Sequence, residues 1–495
     1  MPYVNAKPHI GHALECVQTD AIARFRKISG DDVYLTTGAD ENSLKNVQAA
    51  EKLGISTEEL CKKNAGLFRE LDDRIGLSYD IFVRSSVDAG HLKTTNALWD
   101  MCNKKGDIYK KEYSGLYCVG CEVFYTETEL EGGMCPEHRT RPEVVHEENY
   151  FFRLSKYQDV IEKLVESNAV EIMPDAKKHE VLGFVRSGLE DFSISRSIKR
   201  SHGWGIPVPG DDSQIIYVWF DALGMYLTGA GFQSDNAKFE KLWPADMHVI
   251  GKGVIRFHAV YWLAMLLSAG LELPKSLLVH GYVTSNGQKM SKSIGNIVDP
   301  FEVIGKYGED ATRYYLLKEV STFQDGDFSE KIMKELINNE LVGNIGNFVN
   351  RTLSFIYSKF GGSIKLDEIS EDGKDILNKV HMLASESEEC MKQSQMNLAL
   401  LRVLEISNLG NQYFQAREPW NLIKKDEESA EGVLLVCANI SRALGILIYP
   451  HMPEASEKLL GYLNEKPQAF KNAEKIIKEF NIGEPKILFK KIDDA

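Results

Sequence analysis

The chain has 495 residues, of which 43% are hydrophobic and 26% are charged, as in globular proteins that contain several domains. Its formal net charge of −14 counts against general, charge-driven binding of nucleic acid and confines any such contact to local basic patches. Residues 1–20 contain no basic stretch followed by an apolar run, which counts against a secretory signal. We expect a cytoplasmic protein without a membrane span.

The first half of the chain alternates between helix-like and strand-like segments. A helix is predicted directly after His9, because apolar residues with helical spacing follow it. Short apolar or β-branched runs predict strands at residues 32–38, 214–218, 247–250 and 277–279. Because helical stretches lie between these runs, their order favours a parallel α/β sheet.

Residues 112–153 interrupt this pattern, are rich in Glu, Gly and Cys, and are interpreted as part of an insertion. Two close pairs of metal-binding residue types occur there, Cys118 with Cys121 and Cys135 with His138, separated by 13 residues. This is the spacing of a tetrahedral zinc site. Three thiolates and one imidazole would fill all four positions, so we predict one structural Zn²⁺ per chain.

The last third of the chain has helical periodicity and few strand signals. Helices are predicted at residues 331–360, 373–395, 397–416 and 430–449. Together they predict a C-terminal helical bundle, which begins near residues 325–328.

A phosphate-binding motif is indicated at the start of the first helix, which reads Pro8-His9-Ile10-Gly11-His12. Unpaired main-chain N–H groups and the positive end of the helix dipole favour an anion at such a position. The imidazoles of His9 and His12 can donate hydrogen bonds to phosphate oxygens, and Gly11 lets a nucleotide approach the backbone.

A second candidate phosphate-binding segment follows a turn in the middle of the chain and reads Lys289-Met290-Ser291-Lys292-Ser293. Lysine places a compact positive charge on phosphate, and serine supplies a hydroxyl donor. By itself the segment is typical of a solvated basic loop. In combination with the first motif, it indicates a loop that closes on a triphosphate.

Together the two motifs resemble the paired signature motifs of class I aminoacyl-tRNA synthetases, which bracket ATP. The resemblance covers nearly the whole chain and implies an α/β, doubly wound parallel nucleotide-binding fold. A connective insertion with a zinc knuckle would split this fold, and an all-α anticodon-binding helical bundle would follow it. The implied domains are residues 1–106 and 213–275 for the two catalytic halves, 107–212 for the insertion, 276–328 for the second motif and stem-contact region, and 329–495 for the anticodon-binding domain.

The same resemblance assigns roles at the nucleotide site. It implies that ATP is a substrate, accompanied by Mg²⁺, and that the carboxylate of an amino acid attacks the α-phosphorus. Catalysis then requires positioning and charge stabilisation rather than a strong base. The implied catalytic residues are His9, Gly11, His12, Lys289 and Lys292. Contacts to ATP are implied for the same histidines and lysines, and for Lys252 and Ser291.

Further strings resemble the methionyl-tRNA synthetase family, namely Pro2-Tyr3-Val4-Asn5, Thr37-Gly38-Ala39-Asp40-Glu41, Tyr217-Val218-Trp219-Phe220-Asp221-Ala222 and His248-Val249-Ile250-Gly251-Lys252. The resemblance implies that methionine is bound by Tyr3, Trp219, Ala222, Tyr226, Phe257 and His258. Asp40 would hold the ammonium group. These residue types agree with methionine as the substrate, because a thioether packs favourably on aromatic edges. Such aromatic residues are also typical of an ordinary core.

The family also implies binding of tRNA(Met) through its acceptor stem and its anticodon. Asn347 and Arg351 lie four residues apart and share one helix face, and Trp420 follows the break at Glu418-Pro419. An aromatic plane stacks an unpaired base, while Asn and Arg side chains hydrogen-bond its edge. Some relatives dimerise through an extra C-terminal domain, which this chain is expected to lack, so a monomer is expected.

Several positions depart from the family pattern, namely Asn42-Ser43, where His-Gly is frequent, Gly253, where Asp is common, and Leu223 and Leu263. The family also has a strand before the Pro-Tyr segment, so this chain is expected to lack that first strand. Two alternatives stay open. One is a class I synthetase of another specificity, although leucyl, isoleucyl and valyl enzymes usually carry a large editing insertion. The other is an RNA-binding relative without catalytic activity.

Overall fold

A computed structural model describes residues 1–118, 123–125, 127–136, 139–285, 287–290 and 295–493. These residues form two compact units. The first unit comprises Met1–Pro8, Tyr34–Leu71 and Tyr79–His280, and the second comprises His9–Val33, Asp72–Ser78 and Gly281–Ala495.

The helices are, in chain order, α1 (Ile10–Ser29), α2 (Leu44–Leu53), α3 (Thr57–Arg74), α4 (Ala89–Lys104), α5 (Gln158–Glu166), α6 (Asp175–Arg186), α7 (Val218–Ala230), α8 (Asn236–Leu242), α9 (Leu263–Ala269), α10 (Pro300–Tyr307), α11 (Glu309–Glu319), α12 (Glu330–Leu336), α13 (Asn347–Phe360), α14 (Glu371–Lys392), α15 (Met396–Arg417), α16 (Pro419–Leu422), α17 (Glu427–Leu447) and α18 (Pro453–Tyr462). Short 3₁₀ turns occur at Glu127–Glu129, Leu154–Tyr157, Lys252–Val254 and Phe470–Glu474. π-Helical hydrogen bonding occurs at Phe257–Trp262 and Ile337–Gly346.

The strands are β1 (Thr36–Ala39), β2 (Ile81–Arg84), β3 (Ile108–Cys118), β4 (Val123–Tyr125), β5 (Glu143–Phe152), β6 (Glu171–Met173), β7 (Phe192–Ser193), β8 (Ser195–Ser197), β9 (Pro207–Val208), β10 (Asp211–Ile216), β11 (His248–Gly251), β12 (Ser276–His280), β13 (Val283–Ser285), β14 (Gln288–Lys289), β15 (Gly326–Phe328), β16 (Ser363–Lys365) and β17 (Glu479–Asn481).

Parallel strands form the α/β part of the first unit. The strands predicted at residues 247–250 and 277–279 are confirmed as β11 and β12, which pair in parallel, and β6 joins β12 in the same sense. β1 pairs in parallel with β2. The prediction at residues 32–38 is confirmed only in its second part, because β1 begins at Thr36.

The strand predicted at residues 214–218 is displaced, and its expected parallel pairing is wrong. β10 covers Asp211–Ile216 and pairs antiparallel with both β8 and β9. An apolar run identifies a buried strand but carries no information about the direction of its partners. The tight connection from the end of β9 at Val208 to the start of β10 at Asp211 favours antiparallel neighbours, whereas a parallel pair needs a longer crossover.

The segment interpreted as an insertion forms an antiparallel sheet in the order β4-β3-β5-β7. β3 and β5 are paired along their length, from Ile108 opposite Phe152 to Tyr117 opposite Glu143. Asp107 precedes β3 and is buried, and its carboxylate accepts hydrogen bonds from Lys156 Nζ at 2.6 Å and Ser268 Oγ at 2.8 Å. Since Ser268 lies in α9, this carboxylate ties the insertion to the helical layer of the same unit.

Helices dominate the second unit. The predicted helices at residues 373–395, 397–416 and 430–449 are confirmed as α14, α15 and α17, with ends shifted by a few residues. The segment predicted at residues 331–360 is helical throughout, but its middle part, Ile337–Gly346, is π-helical. α17 is long and apolar enough to cross a membrane by length and composition. Because 89% of its most apolar window is buried in the protein, it is the core helix of this bundle.

A buried ion pair fixes α1 within the second unit. The Asp20 carboxylate accepts hydrogen bonds from Arg313 Nη2 at 2.7 Å and from Arg24 Nε at 2.6 Å, and Asp20 and Arg313 are fully buried. Burial by itself would raise the pKa of Asp20, but the two guanidinium groups hold it below its ordinary value. Arg313 also donates to the main-chain carbonyls of Ile75, Pro450 and His451. The helix that begins with the first motif is therefore held by charged hydrogen bonds.

Candidate active site

Two histidine side chains close the first turn of α1. His9 Nδ1 accepts a hydrogen bond from the Gly11 main-chain N–H at 3.1 Å, and His12 Nδ1 accepts one from the His9 N–H at 3.1 Å. The centroids of the two rings lie 3.9 Å apart. The predicted helix N-terminus is thus confirmed, and its histidines form a reciprocal cap, a role that the motif alone does not reveal.

These capping bonds fix where the imidazole protons lie. Because Nδ1 of each ring accepts a main-chain hydrogen, the ring proton is on Nε2. Burial lowers the pKa of His9 to about 4, so this ring is neutral at physiological pH. His9 and His12 each therefore carry an Nε2–H group, which is a donor suited to a phosphate oxygen.

The second motif is only partly included in the described residues. Lys289 lies in β14, whose backbone pairs with Thr284 of β13 in an antiparallel hairpin. Ser291 and Lys292 lie outside the described residues. Their predicted contacts to ATP therefore stay predictions.

The segments on either side of the second motif lie against the start of α1. The Ile10 main-chain N–H donates a hydrogen bond to the Val298 carbonyl at 3.1 Å. A Cβ atom placed on Gly11 would lie 3.9 Å from Met290 Cε, and only 2.9 Å from Cε1 of His9. The two motifs, which are far apart in the sequence, therefore approach each other at one helix N-terminus, and Gly11 leaves room for the capping ring.

In the first unit an aromatic cluster is built on one face of α7. Trp219, Ala222 and Tyr226 recur at helical spacing on this helix. The Trp219 ring stacks on the Phe257 ring with centroids 3.7 Å apart and planes 6° from parallel. The Tyr3 ring meets Trp219 edge to face, with centroids 5.8 Å apart. The residues predicted to surround methionine are thus brought together.

His258 joins the cluster through its hydrogen bonds. Its Nδ1 atom lies 2.9 Å from the Val254 carbonyl oxygen, and its Nε2 atom lies 2.7 Å from the Tyr226 hydroxyl. Since a carbonyl oxygen only accepts, Nδ1 carries the proton and Nε2 accepts the hydrogen of Tyr226. His258 and Phe257 both lie in the π-helical segment Phe257–Trp262, and such segments are frequent at functional sites.

Two residues that the sequence prediction omits complete the cluster. The indole Nε1–H of Trp262 donates to His248 Nε2 at 3.3 Å, and the His248 ring stacks on Tyr226 with centroids 4.2 Å apart. Burial, reinforced by the neighbouring His258, lowers the pKa of His248 to about 3, so the imidazole is neutral. His248 opens one of the strings that carry the family resemblance, whereas Trp262 is indistinguishable from a core residue in its apolar run.

The aromatic cluster contains a buried donor, the indole N–H of Trp219. Among the residues that the structure describes, no acceptor forms a hydrogen bond with the Trp219 indole nitrogen. Buried N–H groups are almost always hydrogen-bonded in folded proteins. This N–H is therefore available to a ligand.

Asp40 lies at the end of β1 and is only 2% exposed. Its main-chain N–H donates to the Pro2 carbonyl at 2.9 Å, and its carbonyl accepts from Val4 N–H at 3.3 Å. The segment that carries Tyr3 therefore runs parallel to the end of β1, with Tyr3 opposite Asp40. The carboxylate of Asp40 accepts a hydrogen bond from the Asn42 main-chain N–H at 3.3 Å.

Lys252 is half-buried in the 3₁₀ turn Lys252–Val254, which follows directly after β11. Ligands of open parallel α/β sheets bind at the carboxyl ends of the strands, and Lys252 follows such an end. This position is compatible with the predicted contact to the nucleotide.

The predicted metal ligands are described only in part, because Cys121 and His138 lie outside the described residues. Cys118 and Cys135 are both buried, and both contact Thr140. Cys118 Sγ lies 3.9 Å from Thr140 Oγ1, and the Cys135 main-chain N–H donates to the Thr140 carbonyl at 2.9 Å. Within the described part of the chain no group of three or more candidate metal ligands is found.

The residues predicted to contact an anticodon flank a groove in the helical bundle. Arg351 and Trp420 line a cavity of about 340 Å³ together with Ser354, Phe355, Ser358 and Phe414. The Arg351 guanidinium lies 4.6 Å from the centroid of Phe414 and 5.7 Å from that of Trp420. Asn347 lies one turn earlier on α13, with its amide 3.5 Å from Asn411 Oδ1. Phe414 was not predicted, because it resembles any other apolar residue on an amphipathic helix.

Two family models match this chain. The family model described as tRNA synthetases class I (M) matches residues 1–142 and 138–353, and the model described as the anticodon-binding domain of methionyl tRNA ligase matches residues 365–495. A protein of Brucella suis named methionine–tRNA ligase is 42% identical over 93% of this chain and 90% of its own length. One of Mycobacterium leprae with the same name is 40% identical over 94% of this chain and 88% of its own length.

A solved structure gives the same result. The crystal structure of Mycobacterium tuberculosis methionyl-tRNA synthetase bound by methionyl-adenylate superposes with a TM-score of 0.94. The two chains are 37% identical, and the match covers 99% of this chain and 98% of the other. The likeness thus includes the catalytic part and the helical bundle alike. The chain belongs to the methionyl-tRNA synthetase family of class I aminoacyl-tRNA synthetases.

Proposed function

We propose that this chain activates methionine with ATP and then transfers the methionyl group to tRNA(Met). The observation that carries this proposal is the approach of the two nucleotide motifs, through the hydrogen bond from Ile10 to Val298 and the nearness of Met290 to Gly11. A triphosphate site requires donors from both motifs within reach of one ligand. A non-catalytic relative has no need to keep that arrangement.

In the first step, a carboxylate oxygen of methionine attacks the α-phosphorus of ATP, and the bond to pyrophosphate breaks. The Nε2–H groups of His9 and His12 donate to phosphate oxygens as charge moves onto the leaving group. Lys289 and Lys292 add positive charge at the triphosphate, with Ser291 and Lys252 as further contacts. Mg²⁺ enters with ATP. In the second step a ribose hydroxyl of the tRNA attacks the methionyl carbonyl, and AMP leaves.

Methionine is held by the aromatic cluster. The side chains of Tyr3, Trp219, Tyr226 and Phe257 surround the thioether, Ala222 leaves space on α7, and sulfur–aromatic contacts contribute about 0.3–1.5 kcal/mol each. His258 presents its ring through the hydrogen bond to Tyr226. The Asp40 carboxylate pairs with the substrate ammonium group.

We also propose that Cys118, Cys121, Cys135 and His138 hold one structural Zn²⁺. The two described cysteines fit, because both are buried and both lie against Thr140, Cys118 through its thiol and Cys135 through its main chain. Bound zinc would cross-link a small sheet with little core of its own. Metal analysis of the purified chain should give one zinc per molecule, and Cys118→Ser should lower that content and the melting temperature. If a zinc-free sample had the same melting temperature as the zinc-containing chain, this site would be rejected.

The groove at Arg351 and Trp420 is proposed to bind the anticodon, with Asn347 at its edge. Three aromatic rings and a guanidinium in one cavity offer a stacking surface and hydrogen-bond donors for an unpaired base. A cytoplasmic location and a monomeric state stay predictions from the sequence.

Aminoacylation tests the whole proposal. The purified chain is incubated with ATP, Mg²⁺, labelled methionine and total tRNA. We expect label to become acid-precipitable and to be released by mild base, as an aminoacyl ester is. Absence of charging with an intact, folded chain would favour a binding protein without catalytic activity, and charging with another amino acid would favour a different specificity.

A further inference from the structure

A buried polar network lies behind the pocket face of α7. Asp221, next to Ala222, is 1% exposed, and its carboxylate lies at the centre of this network. Its Oδ2 atom accepts a hydrogen bond from Asn42 Nδ2 at 2.7 Å, and its Oδ1 atom lies 2.6 Å from His91 Nε2. The Thr95 hydroxyl donates to Oδ1 at 3.2 Å. A buried carboxylate needs such donors, and here three side chains from two other segments supply them.

Asn42 connects this network to Asp40. Its main-chain N–H donates to Asp40 Oδ1 at 3.3 Å, while its side-chain amide donates to Asp221. Asn42 is itself only 8% exposed. One residue therefore holds both the carboxylate assigned to the substrate ammonium and the helix that carries Trp219.

The chemistry of the asparagine suits this position. The side chains of Asp40 and Asp221 are both acidic, and both approach Asn42. A neutral amide donates to one carboxylate without adding charge, whereas a third carboxylate would repel both neighbours. His91 supplies the remaining strong donor to Asp221, and its other ring nitrogen lies 2.9 Å from Thr228 Oγ1. The network thus fixes the first turns of α7 relative to the end of β1.

We propose that Asn42 is a positioning residue for methionine, which sets the distance between Asp40 and the aromatic face of α7 through its hydrogen bond to Asp221. The inference rests on the proposed function, since it takes Asp40 and Trp219 as methionine contacts. Asn42 itself touches no substrate. Its effect belongs to methionine binding and leaves ATP binding unchanged.

The test is the Asn42→Asp variant of the full chain, assayed by methionine-dependent ATP–pyrophosphate exchange. It removes the donor and places a second carboxylate against Asp221. We expect the KM for methionine to rise about tenfold or more, and the KM for ATP to stay within about twofold. If this variant does not fold, Asn42→Ala removes the donor without adding charge, and a rise of about fivefold is expected.

Exchanging the side chains at positions 42 and 221 distinguishes a positioning role from a general loss of stability. In the double variant Asn42→Asp with Asp221→Asn, the amide at position 221 donates to the carboxylate at position 42, and its oxygen still accepts from His91. The KM for methionine is expected to return to within about threefold of the starting chain. If the double variant had a KM for methionine as high as that of Asn42→Asp alone, the proposal would be overturned.

A matched control is Asn439→Ala. Asn439 is a buried asparagine of the second unit whose amide donates to the Leu435 and Ile477 carbonyls. This variant is expected to lower the melting temperature and leave the methionine KM unchanged. An Asn42 variant that behaves in the same way would show a structural role only. Absence of exchange in the unmodified chain would instead reject the proposed function, so the two failures are distinguishable.

Discussion

His9 and His12 at the start of α1 each combine an observed role with a proposed one. The resemblance assigns them to ATP, and the structure shows that their Nδ1 atoms cap the helix. The two roles are compatible because capping uses one ring nitrogen and leaves the proton on the other. Helix caps contribute about 0.5–2 kcal/mol, so a loss of stability and a loss of catalysis are both expected when a histidine is removed.

Two substitutions of His12 separate these roles. His12→Ala should lower ATP–pyrophosphate exchange about 100-fold or more and also lower the melting temperature, because donor and cap are both lost. His12→Asn keeps an oxygen that can accept the His9 N–H, so its melting temperature should stay near that of the unmodified chain. Thermal unfolding and exchange are measured on the same samples.

The cap of another helix provides the control. The Asp426 carboxylate caps α17 by accepting the Ser429 main-chain N–H. Asp426→Ala should lower the melting temperature without changing exchange. Full exchange in His12→Ala would reject the role given to this imidazole.

At the scale of elements, the chain joins its pocket residues by hydrogen bonds between neighbouring helices. Tyr226 of α7 donates to His258 of the π-helical segment, and His248 of β11 stacks beneath Tyr226. Tyr226→Phe keeps the ring and removes this donor. We expect the KM for methionine to rise about fivefold to tenfold, with the KM for ATP unchanged.

Tyr315 offers a comparison of the same chemical change. Its hydroxyl donates to the Asp327 carbonyl and accepts from Ser329 N–H in the second unit. Tyr315→Phe is expected to affect stability alone. If Tyr226→Phe left the KM for methionine unchanged, the Tyr226 hydroxyl would have no role in methionine binding.

The buried pair of α1 and α11 leads to a prediction about pH. Asp20→Ala leaves Arg313 buried without its carboxylate and should lower the free energy of unfolding by about 3–5 kcal/mol at pH 7. The folded-state pKa of Asp20 lies below the ordinary value of 3.8. The stabilisation by this carboxylate is therefore present above pH 3.8 and is lost as the pH falls further.

Denaturant unfolding of both proteins at several pH values measures this difference. The gap in unfolding free energy between the unmodified chain and Asp20→Ala should be widest near neutral pH and should narrow below pH 3.8. A gap that stays constant across this range would mean that the carboxylate charge does not stabilise the fold.

The sequence predicted elements better than it predicted how they pair. Periodicity placed α14, α15 and α17 to within a few residues, because each buries one continuous apolar face. The predicted parallel pairing is wrong for β10, because an apolar run carries no information about the direction of its partners. The π-helical geometry around His258 was not predicted either, because it depends on how the helix packs against its neighbours.

For the molecule as a whole, resemblance predicted which residues gather, while their chemical state required the structure. The seven residues assigned to methionine were predicted from the family resemblance, and the structure adds that Tyr3 lies opposite Asp40. The proton positions on His9 and His258 could not, because they follow from main-chain atoms that the fold brings near. The link from Asn42 to Asp221 joins distant segments, which a single sequence cannot reveal.

The helical bundle should affect the reaction only through tRNA. Trp420→Ala removes one ring of the groove, and base–aromatic stacking contributes about 1–3 kcal/mol. We expect the KM for tRNA in charging assays to rise about tenfold. Phe355→Leu, in the same groove, should have a smaller effect because an apolar side chain remains. A tRNA KM that is equal in all three proteins would argue against this groove as the anticodon site.

The central claim is that methionine is the amino acid that this chain activates. ATP–pyrophosphate exchange without tRNA, measured separately with each of the common amino acids, tests it most directly. Exchange that depends on methionine and is near background with the others is the predicted result. Exchange with none of them, or faster exchange with leucine, isoleucine or valine than with methionine, would contradict it.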